Sequence, residues 1–152
     1  MSRHTIRYPE ILPEPFQKQL DLSMAVHKSG IGPRLLELVF LRVSQVNGCA
    51  FCIDMHVRNL LAAGEDLQRI ALLPAWRESD CYNARERAAL DWAEKVNALH
   101  DDKALDASFA LLDRQFSERE IAELTFAVAV IRTWNTLNVS LRTPVERKPL
   151  AA

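Results

Sequence analysis

The chain has 152 residues and carries 19 Lys and Arg against 20 Asp and Glu, a formal net charge of −1. Mixed signs leave no basic stripe for nucleic acid and no polybasic membrane anchor, and no segment approaches the roughly 20 apolar residues that a membrane-spanning helix needs. The length suits a single domain over 1–152 whose core needs no disulfide or metal staple.

In chain order, the first thirteen residues, with Pro9 and Pro13, read as an extended N-terminal arm, because proline removes a donor and biases its predecessor away from helix. From Pro15 to Ser29, Phe16, Leu20, Met24 and Val26, with Leu22 between, fit a helix ended by Gly30. Gly32-Pro33 restarts the chain, and Leu35, Leu36, Leu38, Val39, Leu41 and Val43 make the next helix apolar around most of its circumference. Its one acid, Glu37, is therefore costly unless partnered. Asn47-Gly48 breaks that pattern, and a second helix runs from the cysteine pair through Val57, Leu60 and Leu61 to Gly64. A short helix from Glu65 to Leu72 stops before Pro74. Asn83-Ala84-Arg85-Glu86 has the form of a capping box for a helix through Leu90, Trp92, Ala93 and Val96. Another short helix is expected over Ala104 to Arg114. Ser117-Glu118-Arg119-Glu120 is a second capping box, opening a last helix to about Leu141, before Pro144 and a short polar tail over 143–152. The pattern describes an all-α fold of about six to seven helices. It contains no Gly-rich phosphate loop, no βαβ alternation and no internal repeat.

Chemistry concentrates in Cys49-Ala50-Phe51-Cys52-Ile53-Asp54-Met55-His56. At about 100° per residue, a helix starting at Cys49 puts Cys52 near 300° and His56 near 340°, so two thiols and an imidazole share one face. The start of a helix favours a thiolate, because unsatisfied backbone N–H groups point at it. A thiolate attacking a peroxide becomes a sulfenic acid, and a second thiol three residues away condenses with it to a disulfide. His56 is within reach of Cys52 at i+4 to move the proton, and Glu37 is the candidate partner that orients the imidazole. Two other readings stay open on the residues alone. Cys49, Cys52 and His56 could be zinc ligands completed by Glu37, Cys81 or water, or the cysteines could be small core residues beside a satisfied histidine. Covalent haem attachment needs C-x-x-C-H, and Ile53 follows Cys52, so it is excluded. A thioredoxin-type fold wants a strand before the motif, which is missing. Cys81, beside Tyr82, reads as a bystander. His4, His27 and His100 lie at segment ends and read as solvated, and Trp76, Trp92 and Trp134 as core or interface. Three cysteines, two of them at C-x-x-C spacing, and no apolar run of signal length near Met1 point to a cytoplasmic protein with redox thiols.

The stretch Val43 to His56 with Glu37 upstream resembles the alkyl hydroperoxidase D (AhpD)-like branch of the carboxymuconolactone decarboxylase superfamily. Further likeness lies in Gly64-Glu65, Trp76-Arg77-Glu78-Ser79, Arg85 to Leu90, Phe116-Ser117-Glu118 and Trp134-Asn135, and spans roughly residues 12–142. The resemblance implies an all-α, homo-oligomeric protein, a trimer or hexamer, that reduces hydroperoxides with thiols and uses no cofactor or metal. Cys52 would be the peroxidatic thiol. Cys49 would resolve it and meet a thiol or dithiol reductant, of lipoamide or thioredoxin type. His56 and Glu37 would form the proton relay. A non-catalytic, redox-sensing or metal-holding oligomer is the alternative role for the same dithiol. Two positions depart from the branch: Phe51 stands where better-characterised members carry a histidine, and Arg132-Thr133-Trp134-Asn135-Thr136 differs from their Asn-x-Trp-Asn-Arg.

Overall fold

Proline and glycine set the first boundaries. In the computed structural model, which describes residues 4–99 and 102–149, Pro9 lies in the first turn of a one-turn helix, α1 (Tyr8–Ile11), and Pro13 opens α2 (Pro13–His27). The expected extended arm is therefore helical from Tyr8. Proline's fixed φ and missing N–H, which argue against a helix interior, suit a first turn. Pro33 likewise opens α3 (Pro33–Asn47) after Gly32, whose φ of 89° is open to glycine.

The remaining elements are α4 (Ala50–Ala62), α5 (Leu67–Leu72), a 3-10 segment (Leu73–Glu78), α6 (Ala84–Ala98), α7 (Asp102–Leu112) and α8 (Glu118–Ser140). The described residues form an all-helical, AhpD-like fold with eight α-helices. Helix α5 ends at Leu72, before Pro74, as expected, and Pro74 then stands in the first turn of the 3-10 segment that follows. Both capping boxes are present. Asn83 and Ser117 each accept from the N–H three residues on, and the Glu86 and Glu120 side chains return the bond. His100 lies outside the described residues.

Helix α3 is the centre of the packing. Leu36, Val39, Phe40 and Val43, spaced i, i+3, i+4 and i+7, join a cluster with α6, α7 and α8 that includes Ala89, Ala93, Leu112, Leu124, Val128 and Ile131. Leu38 and Leu41, on the opposite side, pack with Leu60, Ile70, Leu73, Trp76, Tyr82 and Leu90. A helix buried on both sides leaves Glu37 only 8% exposed. At the C-terminal end of α3, three amides lock helices together. The Asn47 Nδ2 donates to Asn97 Oδ1 and Asn135 Oδ1, each at 3.0 Å, the Asn97 Nδ2 donates back to Asn47 at 2.9 Å, and the Asn135 Nδ2 donates to the Ser44 hydroxyl at 3.0 Å. Asn135, in the segment that departs from the branch pattern, thus serves to fix α8 against the residues that lead into the cysteines.

Candidate active site

The turn between α3 and α4 places the cysteines. Gly48 takes the left-handed conformation (φ 68°, ψ 30°) that ends α3, and the Cys49 N–H donates to the Ser44 carbonyl at 3.0 Å. Cys49 is then extended and acts as the N-cap of α4, its sulfur accepting from the Cys52 N–H at 3.3 Å. The helical-wheel expectation put Cys49 inside the helix. It lies just outside, and the pair still meets because an N-cap side chain folds back over the third helical residue. Cys49 and Cys52 are joined as a disulfide with their Cα atoms 5.3 Å apart.

One turn on, His56 is buried and its Nδ1 lies 2.7 Å from Glu37 Oε2. A carboxylate only accepts, so Nδ1 carries the hydrogen. The other nitrogen, Nε2, is buried without a hydrogen-bond partner. An imidazole oriented through one nitrogen and left free at the other is the arrangement of a proton carrier. The second Glu37 oxygen accepts from Asn59 Nδ2 at 3.3 Å and faces His27 Nε2 at 3.6 Å. His27 is exposed, as expected, with 45% of its side chain accessible, and it also lines the site. The last turn of α2 swings it over Phe40, whose ring centroid is 5.3 Å from each of the two imidazoles.

Cys52, His56, Glu37 and His27 line one cavity of about 540 Å³. Its walls are largely apolar, with Phe16, Leu20, Phe40, Phe51, Met55 and Trp134 among them. Phe51, between the cysteines, contributes wall surface where a histidine would have added a titratable group. Tyr8 and Asn138 add polar atoms, and burial pushes the Tyr8 phenol above its ordinary value of 10. Cys49 is 1% exposed and is not part of the cavity wall, whereas Cys52, equally buried, is. Among the described residues no group of three or more His, Cys, Asp or Glu is placed to hold a metal ion. Cys81 is a free, half-buried thiol beside the second apolar cluster. Trp76 and Trp92 pack within the protein and donate to Glu94 and Thr125, but Trp134 faces the cavity.

Residues 13–95 match the carboxymuconolactone decarboxylase family. The chain belongs to that family. It is 34% identical over 136 residues to the uncharacterized protein YdfG of Bacillus subtilis, covering 90% of this chain and 92% of that one. A shorter match, 36% over 67 residues, links 44% of this chain to 35% of the alkyl hydroperoxide reductase AhpD of Bradyrhizobium diazoefficiens. Among solved structures, a protein of unknown function from Agrobacterium tumefaciens, whose description connects it with AhpD-type antioxidant defence, superposes with a TM-score of 0.89. It is 40% identical, covering 95% of this chain and all of that one. The debrominase Bmp8 with bound 2,3,4-tribromopyrrole shares the fold at a TM-score of 0.76 and 22% identity, covering 90% of this chain and 73% of that one. The chain is thus an AhpD-like member of a family that includes enzymes of more than one activity.

The four residues singled out from the sequence, Glu37, Cys49, Cys52 and His56, come together. His27, Asn59, Tyr8 and Asn138 were missed. Asn59 was accessible to sequence reasoning, being at i+3 from His56 on the same face. The others arrive from α1, α2 and α8, and no spacing links them to the cysteines.

Proposed function

We propose that this protein is a thiol-dependent peroxidase of the alkyl hydroperoxide reductase type, with Cys52 as the attacking thiol. The observation that carries this reading is the Glu37-oriented His56, which lines the same cavity as Cys52 and whose Nε2 is buried without a partner, while Cys49 is bonded to Cys52 outside the cavity wall. In the reduced protein His56 Nε2 takes the Cys52 proton. The thiolate attacks the terminal oxygen of a hydroperoxide, the O–O bond breaks, and the alkoxide leaves as an alcohol with the proton from His56. Cys52 is then a sulfenic acid, and the Cys49 sulfur displaces its oxygen as water, forming the disulfide. The balance is two thiols and one hydroperoxide to a disulfide, an alcohol and water. Glu37 holds the ring and stabilises the positive charge that His56 carries through the first step.

A thiol or dithiol reductant, of lipoamide or thioredoxin type, returns the pair to thiols. Cys49 is sealed, so exchange at its sulfur requires the first turn of α4 to open, whereas a small reductant entering the cavity meets Cys52. That burial is also the observation favouring a second reading, a redox sensor oxidised once and reduced slowly. We take the chain as one domain that self-associates as a trimer or hexamer in the cytoplasm, acting without cofactor, metal or nucleic acid. Exposed Ile11, Leu12, Leu22 and Met24 along α1 and α2 supply apolar surface for self-association. No described helix is long and apolar enough to cross a membrane.

The test is steady-state consumption of an organic hydroperoxide with dihydrolipoamide as reductant. Turnover that disappears in both Cys49→Ser and Cys52→Ser supports the enzyme. One equivalent consumed without turnover supports the sensor, and oxidation that survives Cys52→Ser contradicts both.

A further inference from the structure

Asn138 lies on the last turn of α8, 6% exposed, with its amide in the cavity. Its Nδ2 is 3.5 Å from the Cys52 sulfur. Which end of an amide faces a neighbour is decided by the surrounding hydrogen bonds. Here the Tyr8 hydroxyl donates to Asn138 Oδ1 at 3.1 Å and the Thr143 hydroxyl donates to the same oxygen at 2.7 Å. With both hydroxyls on the oxygen, the NH2 group is turned to the sulfur.

The two hydroxyls come from opposite ends of the described chain. The Ile6 N–H donates to the Leu141 carbonyl at 3.0 Å and the Thr5 hydroxyl to the Arg142 carbonyl at 3.1 Å, which lays the segment carrying Tyr8 against the end of α8. Arg142 has a φ of 57°, a left-handed turn that brings the chain back so that the Thr143 N–H donates to the Asn138 carbonyl at 3.0 Å. A non-glycine residue held at positive φ is strained unless its surroundings fix it. The turn at Arg142 therefore serves to return Thr143 to Asn138.

We propose that Asn138 is a catalytic donor to Cys52, its Nδ2–H holding negative charge on the sulfur, with Tyr8 and Thr143 as positioning residues that prevent the amide from rotating. The donor works twice in the cycle. It stabilises the thiolate after His56 takes the proton, and it stabilises the same sulfur as the leaving thiolate when, with the first turn of α4 open, a reductant's thiolate attacks Cys49. No bond to Asn138 forms or breaks. The inference rests on Cys52 being the attacking sulfur. The other titratable or charged groups lining the cavity with Cys52 are His56 on α4, Glu37 on α3, His27 on α2, Tyr8 and Glu10 on α1, and Arg7 just before it.

The test uses alkylation, so that it does not depend on peroxide turnover. In a Cys49→Ser, Cys81→Ser background, Cys52 is the one cysteine, and its rate with iodoacetamide is followed from acid to alkaline pH. A hydrogen bond to a charged group is worth about tenfold in thiolate population at its low end. A Brønsted slope of about 0.5 returns about threefold of that through the greater nucleophilicity of the less stabilised thiolate. Asn138→Ala is therefore expected to react about threefold more slowly at acid pH and about threefold faster on the alkaline plateau, so that the two profiles cross. Tyr8→Phe, which keeps the ring and removes one of the two hydroxyls, is expected to cross in the same sense with a smaller amplitude, and it carries the test if Asn138→Ala does not fold. Superimposable profiles, or a parallel change at every pH, which means altered access only, would overturn the proposal. Crossing profiles in a protein that consumes no hydroperoxide would leave the donor standing and remove the peroxidase.

Discussion

Glu65 joins the start of α3 to the end of α4, the two helices that carry Glu37 and His56, and its side chain is wholly buried. Arg34 reaches it with Nε at 2.7 Å and Nη2 at 2.8 Å, Arg69 adds Nε at 2.8 Å, and the Asp66 N–H donates at 2.9 Å. The Arg34 hydrogen bond first, then the Asp66 N–H and Arg69, outweigh the burial that opposes them and hold the carboxyl down to about 2 from an ordinary 4.5. Because the folded value is the lower one, the unfolded chain takes up the proton first as pH falls. The stabilisation is complete above about pH 5 and is lost between about 4.5 and 2. Its size at pH 7 is about 3 kcal/mol, of which about 1.4 kcal/mol remains at pH 3 and little at pH 2. Glu65→Gln keeps the shape and removes the charge. Urea unfolding should show a deficit of about 2–3 kcal/mol at pH 7 that shrinks steadily as both proteins are taken toward pH 2. A deficit below about 1 kcal/mol at pH 7, or one that is the same at pH 2 as at pH 7, would refute this reasoning.

Glu37→Gln leaves the ring of His56 without its carboxylate and should lower hydroperoxide turnover on the order of 10²-fold, with the helical circular-dichroism signal unchanged. Gly48→Ala meets no atom within 4 Å of the added methyl, so its cost is the left-handed backbone alone. Urea unfolding should fall by about 1 kcal/mol. Ser117→Ala removes the cap of α8, whose hydroxyl accepts from the Glu120 N–H at 3.4 Å while the Glu120 carboxylate accepts from the Ser117 N–H at 2.8 Å. It should cost about 1 kcal/mol in thermal unfolding and leave Cys52 alkylation untouched.

The helices were legible where their signals are local. The two capping boxes, the Gly48 break and the apolar circumference of α3 each depend on residues within a turn or two of one another. Proline was less readable in the N-terminal arm, since Pro9 and Pro13 each stand in a first turn, where the residue that blocks a helix interior is admitted. Glu37 was recognisable as a site residue because an acid in an otherwise buried helix demands a partner, and a Glu–His–Cys relay through His56 would supply one. His27 reads as an ordinary helix-terminal histidine until α2 is laid across Phe40. Asn138 gives no sign in the sequence at all. An asparagine near a helix end is common, and its meaning depends on two hydroxyls that reach it from residues 8 and 143.

The most direct test of the dithiol cycle is to stop it half-way. Cys49→Ser protein, reduced and then given one equivalent of an organic hydroperoxide, is trapped with a sulfenic-acid reagent and mapped by peptide mass spectrometry. The adduct is expected on Cys52 and is expected to vanish when His56→Ala is added at short reaction times. An unmodified Cys52, or an adduct confined to Cys81, would contradict the account.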